Sequence, residues 1–476
     1  MSARRFVDPP KRRIKNALRS LVRTSGSSAP IPPGHWGLES VEGEGLSLHG
    51  LSLQALLEKW GSPLHVVDVV ALKRNAQRFT LLPDGQALPC EVYYSYKTNP
   101  IPFVLSTLHR FGIGAEVISP YELWLALRLG VPPERIIYNG PVKSEESIRN
   151  AITSGIRLLT ANHPEELAVF AKIAASTGKR PPIGLRVGSE RGWTAQFGVP
   201  IAGGGALRAF EEAQSIRELD VCALNVHRGG MIRTESELTA FVREVLDFTD
   251  VLAKRLKLDL AMLDFGGSLA TPSVAPLSRV DQRLNQTLLR DIPPPDVRSA
   301  LSIERYILVL TEMVRDHYAR RSRPQPGLLI EPGRALTGNT QLLLASVHGL
   351  KKDDDRIYAM LDGGINIAES LRSEYHQVFT VNRPGEASTN LYTYTVVGPI
   401  CTPGDTLYPA VRLPELRVGD SLAIMDAGAY FIPFSTTFSF PRPAIVAVEN
   451  GKDFLLRRNE RFADLIALDE LSDQGA

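Results

Sequence analysis

A chain of 476 residues, 43% apolar and 22% charged, can bury more than one core, and 54 basic against 52 acidic side chains exclude a global attraction to nucleic acid. No apolar run approaches the roughly 20 residues of a membrane span. The widely spaced Cys90, Cys222 and Cys401 exclude a disulfide framework and suit a reducing, cytoplasmic compartment.

The N-terminus is lopsided, with Arg4, Arg5, Lys11, Arg12, Arg13, Lys15, Arg19 and Arg23 set against Asp8 alone. It lacks the apolar stretch of a secretory signal, and the serine- and proline-rich run from Ser27 to Gly34 reads as a linker. Residues 1–35 are therefore expected to form a disordered basic arm, with contact to a membrane surface or a carrier protein as the other reading.

After it, Leu64 to Val67 reads as a strand and Val70 to Phe79 as a helix. The next segment, Tyr93-Tyr94-Ser95-Tyr96-Lys97-Thr98-Asn99-Pro100, is aromatic and β-prone until Asn-Pro ends it, which sets Lys97 at the carboxyl edge of a strand. A lysine there is either an ordinary exposed cap or an amine able to form an imine with an aldehyde. Brief apolar runs continue at Ile113 to Ile118, Arg135 to Asn139, Ile156 to Thr160, Pro182 to Val187, Val221 to His227, Leu260 to Phe265 and Leu328 to Glu331. Helical segments separate them, including one opened by Ser119-Pro120-Tyr121-Glu122 and others over Glu165 to Thr177 and Ser236 to Lys257. Repeated βα units of this kind predict an α/β fold, a (β/α)8 TIM-like barrel over residues 66–335. Past Leu336 the texture changes to alternating runs at Leu342 to Val347, Arg356 to Leu361, Tyr392 to Val397, Ser421 to Met425 and Ala444 to Val448. These predict an all-β domain, barrel or sandwich, from residues 36–65 plus 336–465, with a tail over 466–476.

Several polar residues fall where the barrel strands end: Lys97, Arg186, His227, Gly266-Gly267 and Glu331-Pro332-Gly333-Arg334. Catalytic side chains of such barrels gather at that edge, a glycine pair lets backbone N–H groups approach a phosphate, and an arginine adds a bidentate partner. Singly, each also has an ordinary structural reading: a tight turn, a surface ion pair, a satisfied histidine.

Together, Tyr94 to Asn99, Glu116-Val117-Ile118-Ser119 with Glu122, Asp264-Phe265-Gly266-Gly267, Glu331 to Arg334, Gly398-Pro399-Ile400-Cys401 with Asp405, and Asp426 to Tyr430 resemble the pyridoxal-phosphate decarboxylases of the alanine-racemase fold. That group contains the diaminopimelate, ornithine and arginine decarboxylases, and the resemblance spans roughly residues 50 to 465. It implies pyridoxal 5'-phosphate held by Lys97, with Glu331 at the pyridine nitrogen, His227 against the ring, and Gly266, Gly267, Gly333, Arg334 and Tyr430 at the phosphate. Arg186 would tune the ring oxygen or its neighbours. It further implies a homodimer with shared active sites, in which Cys401 enters the neighbouring site to protonate the α-carbon; a thiol, with a reference pKa of about 8.5, suits that task. No metal is expected.

The pattern departs from the family at four places. Thr402 stands where an acidic residue contacts a distal amine, which weakens a plain diaminopimelate, ornithine or arginine assignment; Asp362 is then the candidate for that amine. The segment Ile365 to His376 lacks the Arg-Pro-Ala-Leu-Tyr run expected of diaminopimelate decarboxylases, which leaves Arg372 as the candidate for a distal carboxylate. Ser268 replaces a third glycine and could supply the phosphate hydroxyl, and Arg228 beside His227 would suit an extra carboxylate or a carrier-tethered substrate. The expected activity is thus decarboxylation of an amino acid at its α-carbon, diaminopimelate-like or less common. An amino-acid racemase of the same fold is the alternative, disfavoured by Glu331, and a non-catalytic cofactor-binding homologue is the other, disfavoured by retention of Lys97, Glu331 and Cys401.

Overall fold

The computed structural model describes residues 29–470 except 42, 44, 82–84, 86–88, 193–195, 354–355 and 383–390. Most of the expected basic arm and the end of the expected tail lie outside the described residues. Where the arm enters them the expectation of disorder does not hold. Ile31 is 4% exposed, donates its N–H to Gln377 Oε1 at 3.2 Å, and packs in the same core as Trp36.

The chain divides into two compact units. One comprises the described residues of Ala71–Pro272 and Arg298–Gly338, the other the described residues of Met1–Val70, Ser273–Val297 and Asn339–Ala476.

The first is a closed ring of eight parallel strands, as expected: Glu91–Ser95, Gly114–Val117, Ile136–Tyr138, Leu158–Ala161, Pro182–Gly188, Asp220–Val226, Met262–Asp264 and Gly327–Ile330. Closure follows from pairing the first strand with both the second and the eighth, and the fourth with the fifth. Tyr93, Ile137, Leu158, Ala223, Met262 and Leu329 fill the interior. Gly114 makes room for the Tyr93 ring, since a Cβ there would lie 2.5 Å from it.

Helices begin where the sequence supplies caps. Pro120–Arg128 starts behind Ser119, whose side chain accepts the Glu122 N–H, with proline at the first position. Glu235–Leu256 opens on a capping box between Thr234 and Glu237, and ends at Lys257 in the left-handed region. That helix buries Leu238, Phe241, Val242, Val245, Leu246, Phe248 and Leu252, each contributing about 1.5–3 kcal/mol. No helix among the described residues is long and apolar enough to cross a membrane.

The second unit carries a nine-stranded sheet whose central path runs Tyr392–Val397, Arg356–Leu361, Gln341–Asp353, Leu64–Asp68, Ala444–Glu449, and all five strands expected beyond Leu336 are present. Two assignments differ from the sequence reading. Strand Leu64–Asp68, cut at 66 by the expected boundary, lies wholly in this sheet, antiparallel to Gln341–Leu344 and parallel to Ala444–Val448. The stretch Ser273–Val297, read as barrel, belongs to this unit: Ala275–Pro276 pairs with Glu374–Tyr375, and helix Arg279–Leu288 places Asn285, whose amide donates to Ala410 O at 2.8 Å.

Candidate active site

At the end of the first barrel strand the chain tightens into the turn Tyr96–Thr98, and Lys97 projects from that turn. Its Nζ donates to Glu116 Oε2 at 2.9 Å, and the same oxygen accepts the Ser95 hydroxyl at 2.5 Å. Tyr96 braces the turn through His109 Nε2 at 2.6 Å, the other ring nitrogen of His109 donating to Ile113 O.

Behind Lys97 lies a buried cluster of three carboxylates and two amides drawn from five strand ends. Glu116, Asp264 and Glu331 are 1%, 0% and 5% exposed. Asn139 Nδ2 donates to Glu116 Oε1 at 3.2 Å and to Glu331 Oε1 at 2.6 Å; Asn225 Nδ2 donates to Asp264 Oδ2 at 3.0 Å and to Glu331 Oε1 at 3.2 Å. Asp264 Oδ1 accepts the Gly266 N–H. Burial, then Asp264 and Glu116, raise the Glu331 carboxyl well above its usual range, and burial raises Asp264. Burial pushes Glu116 the same way, but Lys97 with the hydrogen bonds from Ser95 and Asn139 outweighs it and holds Glu116 ionised.

The glycines allow close backbone approach. A Cβ on Gly267 would lie 1.7 Å from Glu331 O, and one on Gly266, at φ +64°, would lie 2.3 Å from His227 Nδ1. His227 Nδ1 accepts the Gly267 N–H at 3.3 Å, so the imidazole is neutral; burial, then Lys97 and Arg186, hold its pKa down to about 3. The Arg186 guanidinium stacks on Phe197 at 4.7 Å. Ser268 Oγ accepts the Gly229 N–H at 3.0 Å, Gly333 packs against Thr98 Oγ1, and Arg334 is 8% exposed. Arg228 turns to Glu237 Oε1 at 3.5 Å, the capping glutamate of the following helix. The barrel unit thus carries Lys97, Arg186, Arg228, His227, Gly266, Gly267, Ser268, Glu331, Gly333 and Arg334.

The remaining expected residues belong to the β unit. Cys401 is exposed in the loop after strand Tyr392–Val397, which is pinned by Asp405 accepting the N–H groups of Ile365 and Ile400 at 2.8 and 2.7 Å. Thr402 is in that loop, and Arg372 reaches it, donating to Gly404 O at 3.2 Å. Cys401, Thr402 and Arg372 line one groove of about 1930 Å³ within this unit. Asp362 is not among its lining residues: its carboxylate accepts the Ser346 N–H at 2.9 Å and lies 3.6 Å from His348. Tyr430 sits at φ +69° in the loop after Ser421–Ile424.

Glu116 and Asp264 entered the sequence reading as motif markers without roles, and Asn139 and Asn225 did not enter it as site residues. Their one signal is a polar residue breaking an apolar run at a strand's carboxyl end.

The family model for the pyridoxal-dependent decarboxylases, pyridoxal binding domain, matches residues 71–338. The chain is 29% identical over 440 residues to the diaminopimelate decarboxylase of Aquifex aeolicus, covering 89% of this chain and 95% of that protein. It is 26% identical over 442 residues to that of Bacillus subtilis, covering 89% and 95%. The crystal structure of diaminopimelate decarboxylase from M. jannaschii superposes with a TM-score of 0.79 at 25% identity, covering 92% of this chain and 99% of that one. A barrel whose strand ends gather one reachable lysine and a buried acid cluster, matched over more than half its length by that model, places this chain in the pyridoxal-dependent decarboxylase family, as a carboxy-lyase that uses pyridoxal phosphate to decarboxylate an amino acid.

Proposed function

We propose that the substrate is an amino acid of diaminopimelate-like length, whose distal end is read without an acidic residue beside Cys401, and that the enzyme is a homodimer in which Cys401 of one subunit serves the Lys97 centre of the other. The unpaired Cys90, Cys222 and Cys401 suit a reducing, cytoplasmic setting.

The cofactor fits the residues present. Three buried carboxylates face Lys97 and Arg186, and burial, then its acidic neighbours, raise Glu331, so a cationic ring N–H is the partner that relieves it. Pyridoxal phosphate, when bound, supplies a ring that accepts the electron pair left by departing CO2. Lys97 would hold it covalently and yield its place to the substrate's amine. Glu116 orients the Lys97 amine, Glu331 would hold a proton at the ring nitrogen, and neutral His227 would offer an uncharged face to the ring. Gly266, Gly267, Ser268, Gly333, Arg334 and Tyr430 would bind the phosphate, and the Cys401 thiol would deliver a proton to the α-carbon.

The observation that carries this reading is the Lys97, Glu116, Asn139, Glu331 chain of contacts at the barrel's carboxyl edge. The diaminopimelate-like length rests on relatives such as those of Aquifex aeolicus and Bacillus subtilis, and the altered distal end on Thr402 and on Asp362 being engaged by Ser346. The test is CO2 release by the loaded enzyme from a panel of free L- and D-amino acids that includes meso and L,L diaminopimelate. Release from a long-chain acid, with shorter ones inert, supports the reading. Silence across the panel with cofactor bound points instead to a carrier-tethered substrate.

A further inference from the structure

We propose that Asn139 and Asn225 are positioning residues for Glu331: their two amide nitrogens both donate to its Oε1, so that the ring-nitrogen proton is held through Oε2. The inference rests on the family's cofactor, not on the substrate reading.

Each amide nitrogen carries two hydrogens and faces two acceptors. Asn139 spans Glu116 Oε1 and Glu331 Oε1, and Asn225 spans Asp264 Oδ2 and Glu331 Oε1. The amide nitrogens face the acids; for Asn139 the turned-over form would set its carbonyl oxygen against the ionised Glu116 with no hydrogen between them. Both lone pairs of Oε1 are then occupied by N–H groups, and a proton shared with Glu331 has only Oε2 to reside on. Asn139 also leaves its own Oδ1 without a hydrogen-bond partner among the described residues, although the side chain is 3% exposed. An unsatisfied buried carbonyl costs stability, so this residue is not at its site for stability alone.

The amides matter because of what else faces Glu331. Burial, then Asp264, Glu116 and a hydrogen bond with Asp264, press it toward the protonated form, while Lys97 and Arg186 lie on the ionised side, His227 is neutral, and Tyr306 packs nearby from helix Ile303–Ala319. Two donated hydrogen bonds on one oxygen favour the ionised form of Glu331 against burial and the acidic neighbours, and so lower its basicity toward the ring nitrogen. With one donor removed the carboxylate becomes more basic and draws the ring-nitrogen proton across.

The test uses the full-length enzyme loaded with cofactor labelled with 15N at the ring nitrogen, without substrate, and reads the nitrogen chemical shift. Wild type is expected at the protonated value; Asn139→Ala and Asn225→Ala are expected to move toward the unprotonated one. On whichever amino acid releases CO2, kcat should fall about tenfold to a hundredfold with KM within about twofold, the size of a hydrogen bond to a charged group. Asn139→His and Asn225→His keep one donor of two and should fall between; they also carry the test if an alanine variant fails to fold. An unprotonated ring in wild type, or an unchanged shift in folded variants of both positions, would overturn the proposal. The shift needs no turnover, so its failure is distinct from failure to find the substrate.

Discussion

Lys97 and Glu116 form an ion pair at 2.9 Å in which the lysine side chain keeps 35% of its surface and the glutamate 1%. The amine is reachable while the group that orients it is sealed in the barrel. Lys97→Ala and Lys97→Arg are expected to lower CO2 release by on the order of 10³-fold or more, since neither can hold the cofactor covalently. Borohydride reduction followed by peptide mass analysis should find the cofactor mass on the Lys97 peptide of wild type and in neither Lys97 variant. Glu116→Gln keeps the shape and loses the charge, and is expected to keep that mass while losing about tenfold in rate. Cofactor mass on another lysine would refute the assignment.

Gly267 packs where a Cβ would fall 1.7 Å from Glu331 O, a backbone atom that cannot swing aside. Gly267→Ala must displace the Glu331 strand end, and is expected to destabilise by about 3 kcal/mol or more and to weaken cofactor retention. Gly34→Ala is the control, because a Cβ there meets nothing within 4 Å. Thermal unfolding of both variants checks this; equal melting points would show that the site tolerates a side chain.

The eight barrel strands were legible because each is a short apolar run stopped by glycine, proline or a polar residue, and burial on both faces requires such runs. Lys97 and Glu331 were legible from position. Asn139 and Asn225 were not: a lone asparagine at a strand end also reads as a turn former, and these act on a carboxylate 192 and 106 residues away. Likewise Leu64–Asp68 reads as a strand, but nothing in five residues says that its neighbours are Gln341–Leu344 and Ala444–Val448 rather than the barrel. Local pattern sets an element's type; its partners come from cooperative packing.

Cys401 is exposed on a loop held by Asp405, so replacing it should leave the fold intact. If it serves a neighbouring subunit, Cys401→Ala and Lys97→Ala homodimers are each inactive, whereas an equimolar mixture that exchanges subunits recovers activity. Half the dimers are then mixed, each with one complete site of two, which gives about a quarter of the wild-type rate. Activity that never exceeds the sum of the separate variants would place both residues in one subunit's site.

His65 is fully buried in the β unit, where Nδ1 accepts the Gln341 amide at 3.0 Å and Nε2 has no hydrogen-bond partner among the described residues, so the folded state holds it neutral. Burial, then the positive charge of Arg457, bring its pKa down from 6.5 to about 3. The unfolded chain therefore binds a proton below pH 6.5 that the folded chain refuses until about pH 3. This contribution to stability is complete above the unfolded pKa and is lost as pH falls toward the folded one, at up to about 1.4 kcal/mol per pH unit. His227 acts in the same direction but keeps some access to solvent. The raised Glu331 and Asp264 act oppositely, because the folded state retains protons there that the unfolded chain has released above its ordinary carboxyl values. Denaturant titrations at about pH 7, 5.5 and 4.5 should show wild type losing stability relative to His65→Gln as pH falls, by about the slope of one proton. Parallel curves for the two proteins would mean that His65 titrates alike in the folded and unfolded states, and would overturn this account of its burial between two sheet neighbours.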